Sequence, residues 1–343
     1  MENPVLKALD FLKIELPKKP KLASWVTVVD IGDSRLQFRG NDFMFSFQNE
    51  LLFNAFLDIY DWLDGNHSLE TIVNSKSGSF RSTTIEFLLK TLFANGLIFE
   101  NEFLLEDEKV GWDDFAGQIE FISRFTSTPH VAFQKIRSSN IVIAGSPEIG
   151  EELIANLANI GFKKPHFVEN VESFDSCMST NGSLEKVDFL VAASWSLDFK
   201  HFKPVNTFCH ENGIQFCCVA IEGEKALLGP TVIPFQSPCV VCLESRYFSH
   251  DSSIPGQPEL AKVVNSANGR KATGRVTPLL PVVCGEAALE ITRFLTGIAP
   301  PSTIGGVFEF SGYSPMPKRH QILKVPRCRA CGTKVPTTIQ WDL

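Results

Sequence analysis

Four of the nine cysteines stand in two C-x-x-C pairs, Cys239-Val-Val-Cys242 and Cys328-Arg-Ala-Cys331. That spacing puts two sulfurs within one turn, and two such pairs supply the four thiolates that a tetrahedral Zn²⁺ takes. The pairs are 85 residues apart, so a shared ion ties the C-terminal stretch back onto whatever folds before Cys239. Pro238 precedes the first pair, and Pro326 and Gly332 flank the second. A site closed by four sulfurs leaves no open position for water, so it predicts stability and not catalysis. The alternatives at this point are two unrelated pairs or a redox C-x-x-C. Cys177, Cys209, Cys217, Cys218 and Cys284 read as small buried hydrophobes. An odd number of cysteines in a long chain is unlike a secreted disulfide framework and suits a reducing cytoplasm.

A chain of 343 residues has room for two domains, and 44% hydrophobic with 21% charged residues is ordinary globular composition. The formal net charge is −7, which gives no electrostatic drive towards nucleic acid or anionic lipid. No run approaches the roughly 20 apolar residues of a membrane helix. The opening Met1-Glu2-Asn3-Pro4 lacks the basic and apolar regions of a signal peptide.

The first hundred residues have a rhythm of their own. Trp25–Ile31, Arg35–Arg39 and Phe43–Phe47 are short β-rich runs parted by Gly32-Asp33 and Gly40-Asn41-Asp42, which predicts a three-stranded meander. Helical spacing follows over 50–63, then a short helix capped by Ser68, then a third over 82–95 stopped by Gly96. Leu97–Phe99 is a last apolar run. Three strands, three helices and a wing describe a small winged-helix-like α+β unit over 1–104. That stretch holds ten Lys/Arg against fourteen Asp/Glu, a poor DNA-binding surface. Residues 105–138 read as a connector, with one helix over 113–126.

From 139 the grammar changes. Ile141–Ala144, His166–Val168, Phe189–Ala193 and Gln215–Ala220 are apolar runs alternating with helical stretches, the pattern of a doubly wound α/β sheet. Gly145-Ser146-Pro147-Glu148-Ile149-Gly150 sits between the first strand and its helix, where a nucleotide-binding glycine loop stands. Glu169, 19 residues after Gly150, is placed where an acidic residue holds a ribose. The middle of the loop, however, is proline and glutamate; the first has no N–H to donate and the second repels phosphate. A helix over 285–296, small-residue-rich at Gly285, Ala287 and Ala288, is a core or dimer-interface helix.

In this order, Ile141–Gly150, Val168-Glu169, Val187–Val191, Ile214–Val219, Pro238-Cys239-x-x-Cys242, Gly285–Glu290 up to Leu295-Thr296-Gly297, and Cys328-x-x-Cys331 resemble the E1-like (ThiF/MoeB) adenylating enzymes over 139–343. The unit 1–104, with Asn95-Gly96-Leu97-Ile98 near its end, resembles a PqqD-like RiPP recognition element. Together they resemble the partner proteins of azoline-forming (TOMM) cyclodehydratases. The peptide-antibiotic adenylating enzymes share that architecture.

The resemblance implies a structural Zn²⁺ at Cys239, Cys242, Cys328 and Cys331. It also implies a homodimer in the cytoplasm, binding neither nucleic acid nor membrane. Active relatives carry a full glycine loop and acidic residues after the second and third strands. Here stand Pro147-Glu148, Glu169 and Ala193-Ser194-Trp195, and 170–175 offers no basic grip for ATP. The expectation is therefore a non-catalytic scaffold with no catalytic residue, in which Gly145, Gly150 and Glu169 are vestiges of a nucleotide site. ATP would be used by a separate YcaO-type subunit that closes thiazoline or oxazoline rings, followed by a flavin-dependent azoline dehydrogenase. The leader of a precursor peptide would add to the strand Phe43, Met44, Phe45, Ser46, Phe47, opposite Lys90, Thr91 and Ala94 of the third helix, with Leu88, Leu89 and Leu92 buried. The alternatives are a catalytically active peptide-adenylating enzyme and a winged-helix regulator.

Overall fold

Turn residues chop the beginning of the chain into strands too short to stand alone. The computed structural model describes residues 13–40, 43–76, 80–101, 113–169, 186–197, 199–251, 274 and 276–332. The chain divides into two units, 1–135 and 136–343.

In the first unit, β1 (Pro20–Leu22) precedes a meander of β2 (Thr27–Asp30), β3 (Arg35–Arg39) and β4 (Met44–Gln48). The β2–β3 turn needs three consecutive residues at positive φ: Gly32, Asp33 and Ser34. The Asp30 carboxylate accepts from the Gly32 N–H at 2.9 Å and steadies it. Three helices follow. Helix α1 (Glu50–Ile59) is capped by Asn49, whose side chain accepts from the Leu52 N–H at 3.0 Å. Helix α2 (Leu69–Lys76) is capped by Ser68, which accepts from the Thr71 N–H at 3.1 Å. Helix α3 (Ser82–Ala94) ends as Gly96 takes φ 68°.

The last apolar run forms β5 (Ile98–Glu100), which pairs with β1 and not with the meander. Alternation sets the core: Leu36 and Phe38 face inward opposite Phe47 and Phe45, and Phe38 packs edge-on to Phe56 with centroids 5.2 Å apart. Each such buried aromatic is worth about 1.5–3 kcal/mol. Within the stretch read as a connector, α4 covers only Ala116–Ile122, shorter than expected. A further helix, α5 (Pro129–Ser138), had no counterpart in the sequence reading.

In the second unit, β6 (Ile141–Gly145) leads into α6 (Pro147–Ile160), then β7 (His166–Val168), β8 (Phe189–Ser194), α7 (Phe199–Asn212), β9 (Phe216–Glu222) and β10 (Lys225–Val232). After these come α8 (Val240–Asp251), α9 (Leu279–Thr296), β11 (Gly306–Ser311) and β12 (Ser314–Gln321). The seven strands are ordered β12-β11-β10-β9-β8-β6-β7.

The run from β7 through β6 and β8 to β9 is parallel, but β9 through β12 is antiparallel. The sheet is thus mixed: strands alternating with helices form its α/β part, as the sequence suggested, and the antiparallel strands β10 to β12 extend it. β10 carries Gly229-Pro230 and β12 two prolines, so neither has a strand's own pattern. Their pairing partners decide them. Gly150 lets α6 lie directly on β7: a Cβ there would sit 2.5 Å from the Phe167 ring. The parallel strand tips, β10, α7, α8 and the four cysteines share one buried cluster.

Candidate functional site

The two C-x-x-C pairs meet. The sulfurs of Cys239 and Cys242 are 3.9 Å apart, Cys239 and Cys328 3.7 Å, Cys242 and Cys331 3.5 Å. All four lie within 4.8 Å of one another and are buried. A disulfide is about 2.05 Å. A tetrahedron with metal–sulfur bonds of about 2.3 Å has edges of about 3.8 Å, so these residues fit one tetrahedral metal ion. Cys239 and Cys242 come from the start of α8, where unpaired helix amides favour thiolates. The Val325 N–H donates to the Cys242 sulfur at 3.3 Å. The Cys242 thiol is held well below its usual range by hydrogen bonding from Cys239 first, then from Val325 and others. Cys209, Cys217, Cys218 and Cys284 are pushed upward chiefly by burial. They are inert core residues, and Cys177 lies outside the described residues.

At the tips of the parallel strands, a cleft of about 420 Å³ is lined by Gly145, Ser146, Pro147, Glu169, Ala193, Ser194 and His201. This is the crossover point where open α/β sheets bind ligands. The turn between β6 and α6 offers few amides to it. Gly145 takes φ 131°, and a Cβ there would meet the Ala193 carbonyl oxygen at 1.9 Å and His201 Nε2 at 2.8 Å. The Ser146 N–H donates to that carbonyl at 3.0 Å. Pro147 opens α6 with no N–H, and the Glu148 carboxylate accepts from Trp195 Nε1 in the helix's first turn. Gly150 lies within α6, its N–H already bonded to the Ser146 carbonyl at 2.9 Å. Of the predicted vestiges, Gly145 and Glu169 line the cleft, while Gly150 packs against Phe167. The stretch 170–175 lies outside the described residues.

β4 is the edge of its sheet among the described residues. The Asn49 N–H donates to the Ser34 carbonyl at 3.2 Å, and the Gly40 N–H to the Phe43 carbonyl at 2.9 Å. Antiparallel alternation between those bonds turns the main-chain groups of Phe45 and Phe47 towards β3 and those of Met44, Ser46 and Gln48 away from it. Side chains alternate as well: Phe43, Phe45 and Phe47 are half-buried against the core, Met44 is 66% exposed and Ser46 is exposed. On α3, Lys90 and Thr91 are half-buried and Ala94 is exposed, whereas Leu88, Leu89 and Leu92 are buried.

Sequence reasoning missed Phe87, 50% exposed and one turn before Thr91, whose hydroxyl donates to the Phe87 carbonyl at 2.8 Å. Helical spacing back from Thr91 was the signal that would have found it.

No protein-family model matches the sequence, and no curated protein does. Solved structures match well. A heterocyclase in complex with substrate and cofactor superposes at TM-score 0.70 and 19% identity over 91% of this chain and 39% of its own. The heterocyclase TruD gives 0.69 and 19% over 92% of this chain and 43% of its own. E. coli MccB with ATP gives 0.62 and 14% over 92% and 99%. The chain therefore spans about two fifths of the heterocyclases it matches and nearly all of MccB. At these identities what is shared is the fold, and it is the fold of the heterocyclase TruD and of E. coli MccB.

Proposed function

We propose that this chain is the leader-peptide-binding, non-catalytic subunit of a YcaO-dependent cyclodehydratase that installs thiazoline or oxazoline rings in a ribosomally made peptide. The observation that carries the reading is the open edge of β4. Three residues, Met44, Ser46 and Gln48, present main-chain donors and acceptors that no described strand takes up. An extended peptide paired there gains backbone bonds of about 1 kcal/mol each, and side-chain contacts select its sequence.

In this reading 1–104 is a winged-helix recognition element and 139–343 an E1-like scaffold. Phe43, Met44, Phe45, Ser46, Phe47, Lys90, Thr91 and Ala94 contact the leader, to which we add Phe87. The four cysteines hold a structural Zn²⁺, the ion that four thiolates at this spacing suit. The Ser146 amide bonded to Ala193, the missing N–H of Pro147, and Glu148 and Glu169 nearby support a scaffold that leaves ATP to its partner, because adenylation needs donors aimed at phosphate. The protein would work in the cytoplasm as a homodimer, with a flavin-dependent dehydrogenase acting later. No described helix is long and apolar enough to cross a membrane.

The test is fluorescence anisotropy of the full chain with a labelled leader from the precursor encoded beside it. Micromolar or tighter binding, with no binding of duplex DNA and no ATP–pyrophosphate exchange, is expected. Exchange by the isolated chain would make it an adenylating enzyme. Tight DNA binding without leader binding would make it a regulator.

A further inference from the structure

The start of α8 is capped in an unusual way. The Leu243 N–H closes on the Cys239 carbonyl at 3.0 Å, so Cys239 stands at the N-cap. An N-cap side chain ordinarily accepts from the helix's first free amides. The sulfur of Cys239 does so, accepting from the Cys242 backbone N–H, and it also lies against the sulfurs of Cys242 and Cys328. The Val240 N–H, in a fully buried residue, bonds to Asn206 Oδ1 of α7 at 3.1 Å.

That bond fixes the Asn206 amide, because its oxygen must face Val240. Asn206 is 1% exposed, and its Nδ2 is buried with no hydrogen-bond partner. One turn on, His210 Nδ1 bonds the Asn206 carbonyl at 2.7 Å. This assigns the proton to Nδ1 and leaves Nε2, also buried and without a partner, as a lone pair. The His210 ring lies edge-on to Phe235 at 5.0 Å. The Phe235 carbonyl accepts from the Lys324 ammonium, and the next residue, Val325, donates to the Cys242 sulfur. A buried amide is thus held between the helix that carries the first cysteine pair and the segment that leads to the second.

We infer that Asn206 is a positioning residue of the four-cysteine centre: it takes the first amide of α8, at Val240, beside the Cys242 amide that the Cys239 sulfur accepts, and so fixes the turn carrying both sulfurs, while His210 bonds the Asn206 main chain. The inference rests on the metal reading above. Outer partners of this kind typically change metal affinity 10- to 100-fold when removed.

The probe is Co²⁺ added to the metal-stripped full chain, followed by its thiolate charge-transfer band and by competition with a chromophoric chelator. The wild type should take one ion per chain. Asn206→Leu, close in size but without polar atoms, should bind Co²⁺ about 10- to 100-fold more weakly, and its loss of thermal stability should be larger in the loaded chain than in the stripped one. Asn206→Ser, milder and neutral, should show a smaller loss of the same kind and serves if the leucine variant does not fold. Unchanged Co²⁺ affinity in both variants, with equal destabilisation of loaded and stripped protein, makes Asn206 an ordinary core residue and overturns the inference. A wild type that takes up no Co²⁺ overturns the metal reading itself.

Discussion

Among the described sheet edges, β4 and β12 are built in opposite ways. β4 reads Met-Phe-Ser-Phe-Gln, without proline or lysine, and turns the main chain of Met44, Ser46 and Gln48 outward. β12 reads Ser-Pro-Met-Pro-Lys-Arg-His-Gln. There the Ile322 N–H bonds the Gly305 carbonyl at 2.9 Å. Alternation from that bond points the groups of His320 and Lys318 at β11 and those of Arg319 outward. Pro315 and Pro317 both fall where the register shifts, between Lys318 and Ser314, so neither interrupts a regular pair and neither offers a donor to an added strand. Lys318 and Arg319 add charge. These are the devices that keep an edge from recruiting strands. A chain that guards one edge so fully and leaves the other bare is consistent with strand addition directed to β4.

The edges also differ in what holds them. β12 runs on into the segment carrying Cys328 and Cys331, so a metal held by the four cysteines would tie down its end. β4 is held by its ladder to β3 and by the packing of Phe45 and Phe47 on Phe38. The largest expected effect follows from this. Chelation, or Cys328→Ser, should lower the stability of the second unit by about 4 kcal/mol, roughly 10 °C in its melting transition, with leader binding at β4 retained. Differential scanning calorimetry and anisotropy on one sample check both. Loss of leader binding together with the metal would mean that the edges are not independent.

The next effect makes β4 resemble β12. In Ser46→Pro the lost N–H faces outward, so the β3 ladder stays whole, and Phe45 before it is already extended. The protein should fold with its melting point within a few degrees of wild type. It should bind leader on the order of 100-fold more weakly, from one missing bond and the ring's clash with an added strand. Unchanged affinity would take the peptide off this edge. The converse change, Pro315→Thr with Pro317→Thr, opens β12. Sedimentation velocity should then show self-association absent from the wild type, with leader affinity unaltered. A strictly unchanged profile would mean that charge alone guards this edge.

The same contrast explains what the sequence made legible. The parallel strands of the second unit announce themselves, since Ile141–Ala144 and Phe189–Ala193 are unbroken apolar runs ended by a glycine or a turn. β1, β10 and β12 do not: they hold prolines, a glycine or consecutive charges, and become strands because a neighbour offers a ladder. The four-cysteine cluster was readable because ligand spacing is local. Asn206 was not, being one amide in a helix that also contains Pro204. Its importance arises only where α7 meets α8. Gly150 fell between: its place in the motif was visible, but its contact with Phe167 is a matter of packing.

The smallest expected effect separates the two units by their response to acid. His130, in α5, is buried, and its Nε2 lies 3.2 Å from Asn101 Oδ1. Burial, helped by the charge of Lys21 and opposed by Glu120, lowers its pKa from 6.5 to about 4. Lys21 and Glu120 are themselves paired at 2.8 Å, so their fields on the ring partly cancel and burial dominates. The folded state therefore keeps the ring neutral while the unfolded chain protonates it near 6.5. The stabilisation is full above pH 6.5 and is lost as pH falls from there towards 4, at up to about 1.4 kcal/mol per unit.

Between pH 7 and 5.5 the first unit should lose about 1 kcal/mol, read as faster amide exchange in β1 and β5. The second unit carries His210, also lowered by burial, and four clustered cysteines that would release a bound metal on protonation, so its acid response should be steeper. His130→Gln retains a side-chain donor for Asn101 but no titratable nitrogen. It should flatten the profile of the first unit and leave that of the second alone. An equal slope in wild type and variant would assign the acid sensitivity of the β4-bearing unit to its exposed carboxylates.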